Sequence, residues 1–366
     1  MRSDPIRIGL IGLHPDKGWA STAHIAALAQ LQEIRVTVVN HLRGETARAA
    51  ASKFGIPYAV DTVRELVRHP EVDLVVVAVK VSAHRQIVEE SAAAGKPVFC
   101  EWPLTAELSQ SEDLVQKVRE AGVRSFIGLQ GRSTPAFLFV RDLIRDGYVG
   151  RVLSSTLLGS GLLWGGQMPS SMLYTLDPTS GATMMDVTFA HSVDSALFAL
   201  NAKVTSLVAM TPIVRKSVLV VETGQSVGMT APDQVAVAAS LDSGALFDIH
   251  FRGGTSRATN FRWEINGTDG DLVVTTPMGY TGVGGFTIKG ANLEGAIEDL
   301  PIPNTYSDGI PEGLTQGIAL NYRRIAADLR SGTSLAPTFE DALELHRLIN
   351  RIREAGKSGL AVTTAG

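Results

Sequence analysis

The side chains best suited to acid–base chemistry in the second half of the chain are His191 and a nearby carboxylate, Asp194. The surrounding segment, residues 184–194, has the pattern of a helix, and a spacing of three residues places two side chains next to each other on a helix. An imidazole can move a proton near neutral pH, and a neighbouring carboxylate would orient it. We predict that His191 and Asp194 form an acid–base pair. A histidine held by a carboxylate for packing alone is the alternative.

A second carboxylate, Asp186, is less suited to this role. It precedes His191 by five residues, which at about 3.6 residues per turn places the two side chains roughly 140° apart. We therefore expect them to face different surroundings. No third ligand follows at a suitable spacing, so the segment predicts no metal site.

Two further residues could handle a proton. Lys80 ends the most apolar strand of the chain, and ligands of open α/β sheets bind at the carboxyl ends of the strands. A lysine there could relay a proton, contact a phosphate or ribose, or simply be exposed. Tyr174 lies in a loop rich in Gly, Ser and Pro, where its phenol could donate to a substrate oxygen or face solvent.

The first 130 residues alternate between short apolar runs and amphipathic stretches. This alternation predicts a doubly wound parallel sheet, a Rossmann domain over residues 1–130. The run Leu74 to Val79 has six apolar residues in succession, as expected for a strand covered on both faces. The predicted strands cover 6–12, 34–39, 74–79, 97–100 and 125–129, and the predicted helices cover 19–31, 45–54, 83–94 and 108–121.

The rest of the chain, residues 131–366, has a different pattern. Residues 234–241 and 245–252 predict two antiparallel strands around Asp242-Ser243-Gly244, and residues 262–267 and 271–275 predict a second pair. Amphipathic helices near 314–330 and 339–354 follow. We predict an α+β substrate and oligomerisation domain with an open, mainly antiparallel sheet. Such a sheet favours pairing across one face, so a homodimer or homotetramer is expected.

The turn after the first strand is the candidate phosphate-binding loop. Gly12 can serve as its first glycine and Gly18 as its last, but the G-x-G-x-x-G spacing is absent and His14 stands where the second glycine belongs. A glycine turn without a ligand is the alternative. The strand–turn–helix setting favours a dinucleotide cofactor. The predicted contacts of this loop come from Gly12, Leu13, His14, Lys17, Gly18 and Trp19.

The end of the second predicted strand indicates which dinucleotide is preferred. An acidic residue there would bind the ribose 2′-hydroxyl of NAD, whereas a cation would accommodate the 2′-phosphate of NADP. The stretch from Asn40 to Arg43 contains no acid and ends on a cation. This mildly favours NADP(H) over NAD(H), with Asn40 and Arg43 as contacts, unless Arg43 is a surface residue at a helix start.

Composition and charge exclude several classes of protein. The 366 residues are 45% apolar and 19% charged, as in a globular chain large enough for two domains. A net charge of −4 without a basic block argues against nucleic acid as a partner. The single cysteine, Cys100, excludes an intrachain disulfide. The sequence shows no signal peptide and no apolar run that would span a membrane, so we expect a cytoplasmic protein that acts on a small molecule.

The segment Val98-Phe99-Cys100-Glu101-Trp102-Pro103-Leu104, preceded by Ala93-Ala94-Gly95-Lys96-Pro97, resembles the Gfo/Idh/MocA oxidoreductases, whose pattern there is Glu-Lys-Pro. Further similarity lies in residues 147–152, 267–270 and 337–342. Residues 9–13, 17–20, 101–102, 129–132 and 188–191 resemble the Gal80-like branch of this family. That branch includes fungal galactose-regulon repressors, which bind a dinucleotide and serve as sensors.

The resemblance implies roles for the residues of the Glu-Lys-Pro segment. The lysine of the family, which helps to move the substrate hydroxyl proton, is replaced here by Trp102, which has no group that titrates near neutral pH. Glu101, Trp102 and Pro103 are implied to shape the nicotinamide pocket. His84 and Gln130 are expected as further cofactor contacts. The family also carries an acid four residues before its helical histidine, where this chain has Val187.

Two functions remain open from the sequence. The first is an NAD(P)-dependent oxidoreductase acting on a sugar, polyol or related carbonyl compound, in which His191 or Lys80 handles the proton. The second is a dinucleotide-binding sensor or regulatory protein that does no chemistry, for which the loss of the lysine would be tolerated.

Overall fold

The structure, a computed structural model, describes residues 4–282, 284–293 and 295–363. The chain divides into two compact units. Unit 1 comprises Met1–Ser133 and Leu314–Glu344, and unit 2 comprises Thr134–Gly313 and Leu345–Gly366. The predicted boundary at residue 130 falls near the end of the first segment. The prediction did not include the return of residues 314–344 to unit 1.

Unit 1 contains a six-stranded parallel sheet with the order β3-β2-β1-β4-β5-β6. This confirms the predicted Rossmann sheet. The order reverses between β1 and β4, which is the topological switch point at which such sheets bind ligands. The strands are β1 (Ile6–Ile11), β2 (Ile34–Asn40), β3 (Tyr58–Val60), β4 (Leu74–Val77), β5 (Val98–Cys100) and β6 (Ser125–Ile127).

The apolar runs form central strands because both faces of the sheet are covered. All four residues of β4 are buried, as the unbroken run predicts. The predicted helix over 19–31 consists of a π-helical segment, Ala20–Ile25, followed by a short α1 (Ala26–Leu28). The other helices of this sheet are α2 (Gly44–Phe54), α3 (Val63–Arg68), α4 (His84–Ala93) and α5 (Leu108–Glu120).

The second segment of unit 1 adds a long helix to this sheet. This helix is α8 (Gln316–Ser331). The two helices that precede it, α6 (Pro135–Arg145) and α7 (Ala190–Leu200), belong to unit 2. Helix α8 contacts the π-helical segment and α1, and its Tyr322 is fully buried. Helix α9 (Phe339–Ser358) begins in unit 1 and passes into unit 2 after residue 344.

Unit 2 is built on a nine-stranded, mainly antiparallel sheet with the order β17-β16-β15-β14-β7-β13-β12-β9-β18. This confirms the predicted second sheet, with one parallel pairing, β7 with β13. In β13 the residues Phe247, Ile249 and Phe251 are buried and alternate with more exposed polar residues, as predicted. The strands of this sheet are β7 (Val152–Ser160), β9 (Val204–Met210), β12 (Gln234–Leu241), β13 (Leu246–Arg252), β14 (Phe261–Gly267), β15 (Gly270–Thr276), β16 (Thr287–Asn292), β17 (Glu298–Asp299) and β18 (Val362–Thr363). A separate three-stranded sheet, in the order β11-β10-β8, consists of β8 (Gln167–Met168), β10 (Ser217–Val220) and β11 (Ser226–Gly228). Within the described residues, no helix has the length and apolar character that crossing a bilayer requires.

Candidate functional site

The turn that leaves β1 depends on a glycine. Gly12 has a φ of +98°, and its N–H donates to the carbonyl oxygen of Asn40 at 2.9 Å. A Cβ at this position would lie 2.4 Å from the carbonyl oxygen of Ala78, which follows β4. The turn therefore crosses the switch point between β1 and β4, and the atom nearest to the Gly12 position there is a backbone oxygen rather than a side-chain atom. Gly18 also has a positive φ, +89°, but open space surrounds its would-be Cβ.

Cationic and titratable side chains surround this turn at the ends of β1 and β2. Lys17 and Arg43 are exposed, and the rings of His14 and His41 meet edge to face with centroids 5.9 Å apart. The pKa of His41 is lowered, first by burial and then by the positive charges of His14, Arg43 and Lys17. A phosphate group placed here would relieve this repulsion.

The residue that ends β2 uses its side chain within the sheet. Asn40 is buried, and its Nδ2 donates to the carbonyl oxygen of Val60 at 3.1 Å. Leu13 is fully buried, so its backbone rather than its side chain is available to a phosphate. Within this loop, Asp16 N donates to His14 Nδ1 at 3.0 Å, which assigns that ring nitrogen as an acceptor.

At the end of β5, the Glu101 carboxylate is held by nitrogen atoms of two other elements. Trp19 Nε1 donates to Glu101 Oε2 at 3.2 Å, and His24 Nε2 lies 3.2 Å from Glu101 Oε1. The carboxylate also fills the space beside Gly128, where a Cβ would come within 2.7 Å of Oε1. The Glu101 side chain is 14% exposed. The phosphate-binding turn and the end of β5 are therefore connected through this carboxylate.

A buried chain of polar groups continues from Glu101 into α8. His24 Nδ1 lies 2.6 Å from the Tyr322 hydroxyl, and both side chains are fully buried. Burial, and then the charge of Glu101, raise the pKa of Tyr322 well above its ordinary value, so its hydroxyl stays protonated. His24 Nε2 lies 3.2 Å from Glu101 Oε1 but lacks the alignment of a hydrogen bond to it. We call this set Tyr322–His24–Glu101 the polar chain.

Sequence reasoning missed His24 and Tyr322. His24 is the only histidine of the Ala-rich stretch after the glycine turn, and its position could have indicated a buried polar contact, because a buried helical histidine needs polar partners. No local signal existed for Tyr322, which follows His24 by 298 positions.

His84 has contacts different from those expected of a cofactor ligand. It is 1% exposed, and its Nδ1 and Nε2 lie 2.9 and 3.1 Å from the carbonyl oxygens of Pro103 and Val79. Burial lowers the pKa of His84. Its ring therefore bridges the segments that follow β4 and β5, and its side chain offers no free nitrogen to a ligand.

The remaining predicted cofactor residues in unit 1 lie at the ends of parallel strands. Lys80 is exposed beyond β4, Trp102 is 6% exposed beyond β5 and joined to Pro103 by a cis peptide bond, and Gln130 is buried beyond β6. Because parallel strands end at the same edge of a sheet, these residues and the Gly12 turn share the carboxyl edge of the Rossmann sheet.

The predicted acid–base residues of unit 2 lie at the start of α7. His191 and Asp194 are 6% and 4% exposed, and the His191 and Tyr280 ring centroids are 6.3 Å apart. Tyr174 lies in a 3₁₀ segment, Ser170–Leu176, and burial raises its pKa. The described residues contain no cluster of His, Cys, Asp and Glu that could hold a metal ion.

The geometric argument about Asp186 is wrong in one respect. The segment Met185–Phe189 is π-helical, with Phe189 N donating to Met184 O at 3.0 Å, so the assumed 3.6 residues per turn do not apply. The Asp186 carboxylate accepts from Thr183 N and Oγ1 at 3.0 and 2.7 Å and pairs with Arg353. Asp186 therefore caps this segment and ties it to α9.

Comparison with known families assigns both parts of the chain. Residues 6–129 match "Oxidoreductase family, NAD-binding Rossmann fold", and residues 135–276 match "Gal80p, C-terminal domain". The first domain therefore matches the Gfo/Idh/MocA oxidoreductase family, and the second is Gal80-like. Among its relatives is the galactose/lactose metabolism regulatory protein GAL80 of Saccharomyces cerevisiae, 26% identical over 97% of this chain and 93% of that protein.

Enzymes are also among the relatives of this chain. The dehydrogenase aclE of Aspergillus oryzae is 26% identical over 98% of both chains. The 1,5-anhydro-D-fructose reductase of Ensifer adhaerens is 28% identical over 69% of this chain and 72% of that protein. Among solved structures, a super-repressor mutant of Gal80p from Saccharomyces cerevisiae has a TM-score of 0.90 at 25% identity, over 98% of this chain and 97% of that one.

The carboxyl edge of unit 1 fits a nicotinamide dinucleotide. The strand order places a switch point between β1 and β4, and the Gly12 turn lies against backbone there, as a diphosphate cradle requires. The open space around Gly18 leaves the far side of the turn accessible to a ligand.

Proposed function

We propose that this chain is an NAD(P)-dependent oxidoreductase that acts on a sugar, polyol or related carbonyl compound. The observation that carries the proposal is the Gly12 turn, which lies against the Ala78 carbonyl at the switch point of a parallel sheet. The anhydro-sugar reductase and the dehydrogenase among the relatives support this class of reaction. The nicotinamide supplies the hydride chemistry, and the residues of the chain bind, orient and manage a proton.

The cofactor proposal favours NADP(H). Backbone N–H groups of the Gly12–Trp19 turn would hold the diphosphate, with Lys17 as a neighbouring cation. Arg43 stands at the end of β2, where a 2′-phosphate would be recognised, and Asn40 there is neutral and bound to Val60. The neighbouring cations, which after burial lower the pKa of His41, favour the additional phosphate.

The proton is assigned to His191, with Asp194 as its orienting partner and Lys80 as the alternative. Trp102 stands where the family has lysine, and its indole can donate a hydrogen bond but cannot exchange a proton near neutral pH. Tyr174 remains a candidate donor to a substrate oxygen.

The test combines binding with turnover. Calorimetry with NADP(H) and NAD(H) measures cofactor affinity, and absorbance of reduced nicotinamide reports turnover across a panel of sugars, polyols and their carbonyl forms. We expect H191N to keep cofactor affinity within about threefold, and whichever of H191N and K80M lacks the proton carrier to lose roughly 100-fold or more in kcat. Tyr174→Phe, which removes the candidate donor to a substrate oxygen, is measured in the same assays. Tight NADPH binding without turnover of any compound would refute the enzyme.

A second function, a dinucleotide-responsive regulatory protein, is favoured by one observation. Trp102 is 6% exposed at the position of the family's lysine, and the chain is similar over its length to a regulatory protein. This hypothesis predicts a protein partner whose capture from native lysate changes when NADP(H) is added. The same captured proteins with and without the cofactor would argue against it.

We also propose a homodimer or homotetramer. The uncovered face of the nine-stranded sheet carries alternating residues of β13 and β9, including Leu246, Val208 and Met210, which are 55%, 47% and 69% exposed. A second copy would bury this face. Light scattering on the wild type and on M210E tests it, because a monomeric wild type would refute the assignment.

A further inference from the structure

We propose that Glu101 makes this protein bind the oxidised nicotinamide coenzyme more tightly than the reduced one. This inference rests on the proposed cofactor site. At that site, the fixed negative charge of Glu101 would distinguish the oxidised coenzyme from the reduced one. It holds equally for an enzyme and for a regulatory protein.

The position of Glu101 follows from the sheet order. A Rossmann sheet consists of two mononucleotide-binding halves that meet at the switch point. The phosphate-binding turn and the 2′-phosphate position belong to the β1-β2-β3 half, so the other nucleotide of the dinucleotide belongs to the β4-β5-β6 half. Glu101 directly follows β5, at the carboxyl edge of that second half.

The contacts of Glu101 hold its carboxylate in one orientation. Trp19 Nε1 donates to Oε2 at 3.2 Å, and His24 Nε2 lies 3.2 Å from Oε1. The Tyr322 hydroxyl, 2.6 Å from His24 Nδ1, completes the polar chain.

The surroundings keep this charge in one place and partly shielded from water. The carboxylate packs against Gly128, where a Cβ would lie 2.7 to 3.0 Å from its atoms. The side chain is 14% exposed, so solvent screens its charge less than that of a surface glutamate.

The two redox forms of the coenzyme differ in charge at the ring. An oxidised nicotinamide ring carries one positive charge and a reduced ring carries none, whereas the phosphates and riboses are the same. A fixed carboxylate in the nicotinamide half therefore attracts one form only. For a partly screened pair of charges several ångströms apart, we expect a preference on the order of tenfold.

The decisive variant is E101Q, which removes the charge but can keep the contacts. The amide oxygen still accepts from Trp19 Nε1. The amide N–H₂ can donate to His24 Nε2, if His24 takes the other tautomer and donates from Nδ1 to the Tyr322 oxygen. The side chains of the polar chain can thus keep their positions while their net charge changes by one.

The experiment measures dissociation constants for NADP⁺ and NADPH by calorimetry, with wild type, E101Q, E101D and W19F. We expect a ratio of Kd(reduced) to Kd(oxidised) on the order of ten in the wild type, and a ratio several-fold smaller in E101Q. E101D keeps the charge and should keep most of the ratio. W19F removes a donor but no charge, so it should change both affinities in the same direction.

The outcomes separate this inference from the proposed function. Failure of the wild type to bind either form refutes the cofactor site itself. Binding of both forms by the wild type with equal affinity, or tighter binding of NADPH, overturns the inference and leaves the cofactor site intact. A uniform loss of affinity in E101Q with an unchanged ratio would show that Glu101 only holds Trp19 and the turn in place.

Discussion

Replacing Gly12 by alanine tests the physical basis of the cofactor turn. Two effects act on the folded state of G12A. A non-glycine residue at a φ of +98° is strained by about 1–2 kcal/mol. The new Cβ would also lie 2.4 Å from the Ala78 carbonyl oxygen, which is backbone and cannot rotate away. Overpacking of this kind costs about 1–3 kcal/mol. We therefore expect the free energy of unfolding to fall by about 2–5 kcal/mol.

Gly18 provides a matched control in the same loop. Its φ is +89°, but no heavy atom lies within 4 Å of the would-be Cβ. G18A should therefore show the strain alone, about 1–2 kcal/mol. Because the end of β1 must move away from β4 in G12A, the turn should also lose its diphosphate geometry, and NADPH affinity should fall by roughly 100-fold or more.

The assays are chemical denaturation followed by circular dichroism and calorimetric titration with NADPH. The reasoning predicts a clear order, in which wild type is more stable than G18A and G18A more stable than G12A. Equal unfolding midpoints for the two variants would refute the steric account of Gly12. An unchanged NADPH affinity in G12A would refute the placement of the diphosphate at this turn.

Three further predictions concern buried groups. Tyr322→Phe leaves His24 Nδ1 without its 2.6 Å partner and should lower the free energy of unfolding by about 1–3 kcal/mol in urea denaturation; an unchanged midpoint would contradict the polar chain. Burial raises the pKa of Cys100 well above its ordinary value, so a thiol reagent at about pH 8 should label it only as the protein unfolds, and rapid labelling of the native protein would be inconsistent with this. Burial, and then the charge of Arg353, lower the pKa of His346 from 6.5 to about 3. Between these pH values the unfolded chain binds a proton at this residue that the folded chain does not, so the free energy of unfolding falls on acidification by about 1.4 kcal/mol per pH unit. A plot of the free energy of unfolding against pH should be shallower by one proton in H346Q, and superimposable plots for wild type and H346Q would refute this.

Much of the fold could be predicted because it follows from local periodicity. The unbroken apolar run of β4 predicts burial on both faces of the strand, and the alternation of apolar and polar residues in β13 predicts burial on one face. Both predictions are confirmed. The short β3 and α3 were not predicted, because three and six residues carry little periodic signal. The π-helical turns were also missed, since an extra residue per turn depends on packing rather than on propensity.

The candidate site could be predicted in part. The sequence placed Gly12, Lys80, Glu101 and Gln130 after four predicted strands, and parallel strands bring such residues to one edge. The hydrogen-bond partners of these residues could not be predicted from the sequence. Nothing near Glu101 in the sequence indicates Trp19 or His24, and His84 could not be assigned to backbone carbonyls rather than to a ligand before the structure was known.

The sequence by itself determined the parallel sheet, the glycine turn over its switch point and the absence of a lysine at position 102, because each is a property of neighbouring residues. The tertiary structure decided how the Glu101 charge is held, since α8 brings Tyr322 to His24 across 298 positions of chain. Long-range packing also selected the conformation around Asp186, which pairs with Arg353 from a distant helix. Local patterns specify backbone elements, whereas the charge and orientation of a buried side chain depend on whichever distant groups pack around it.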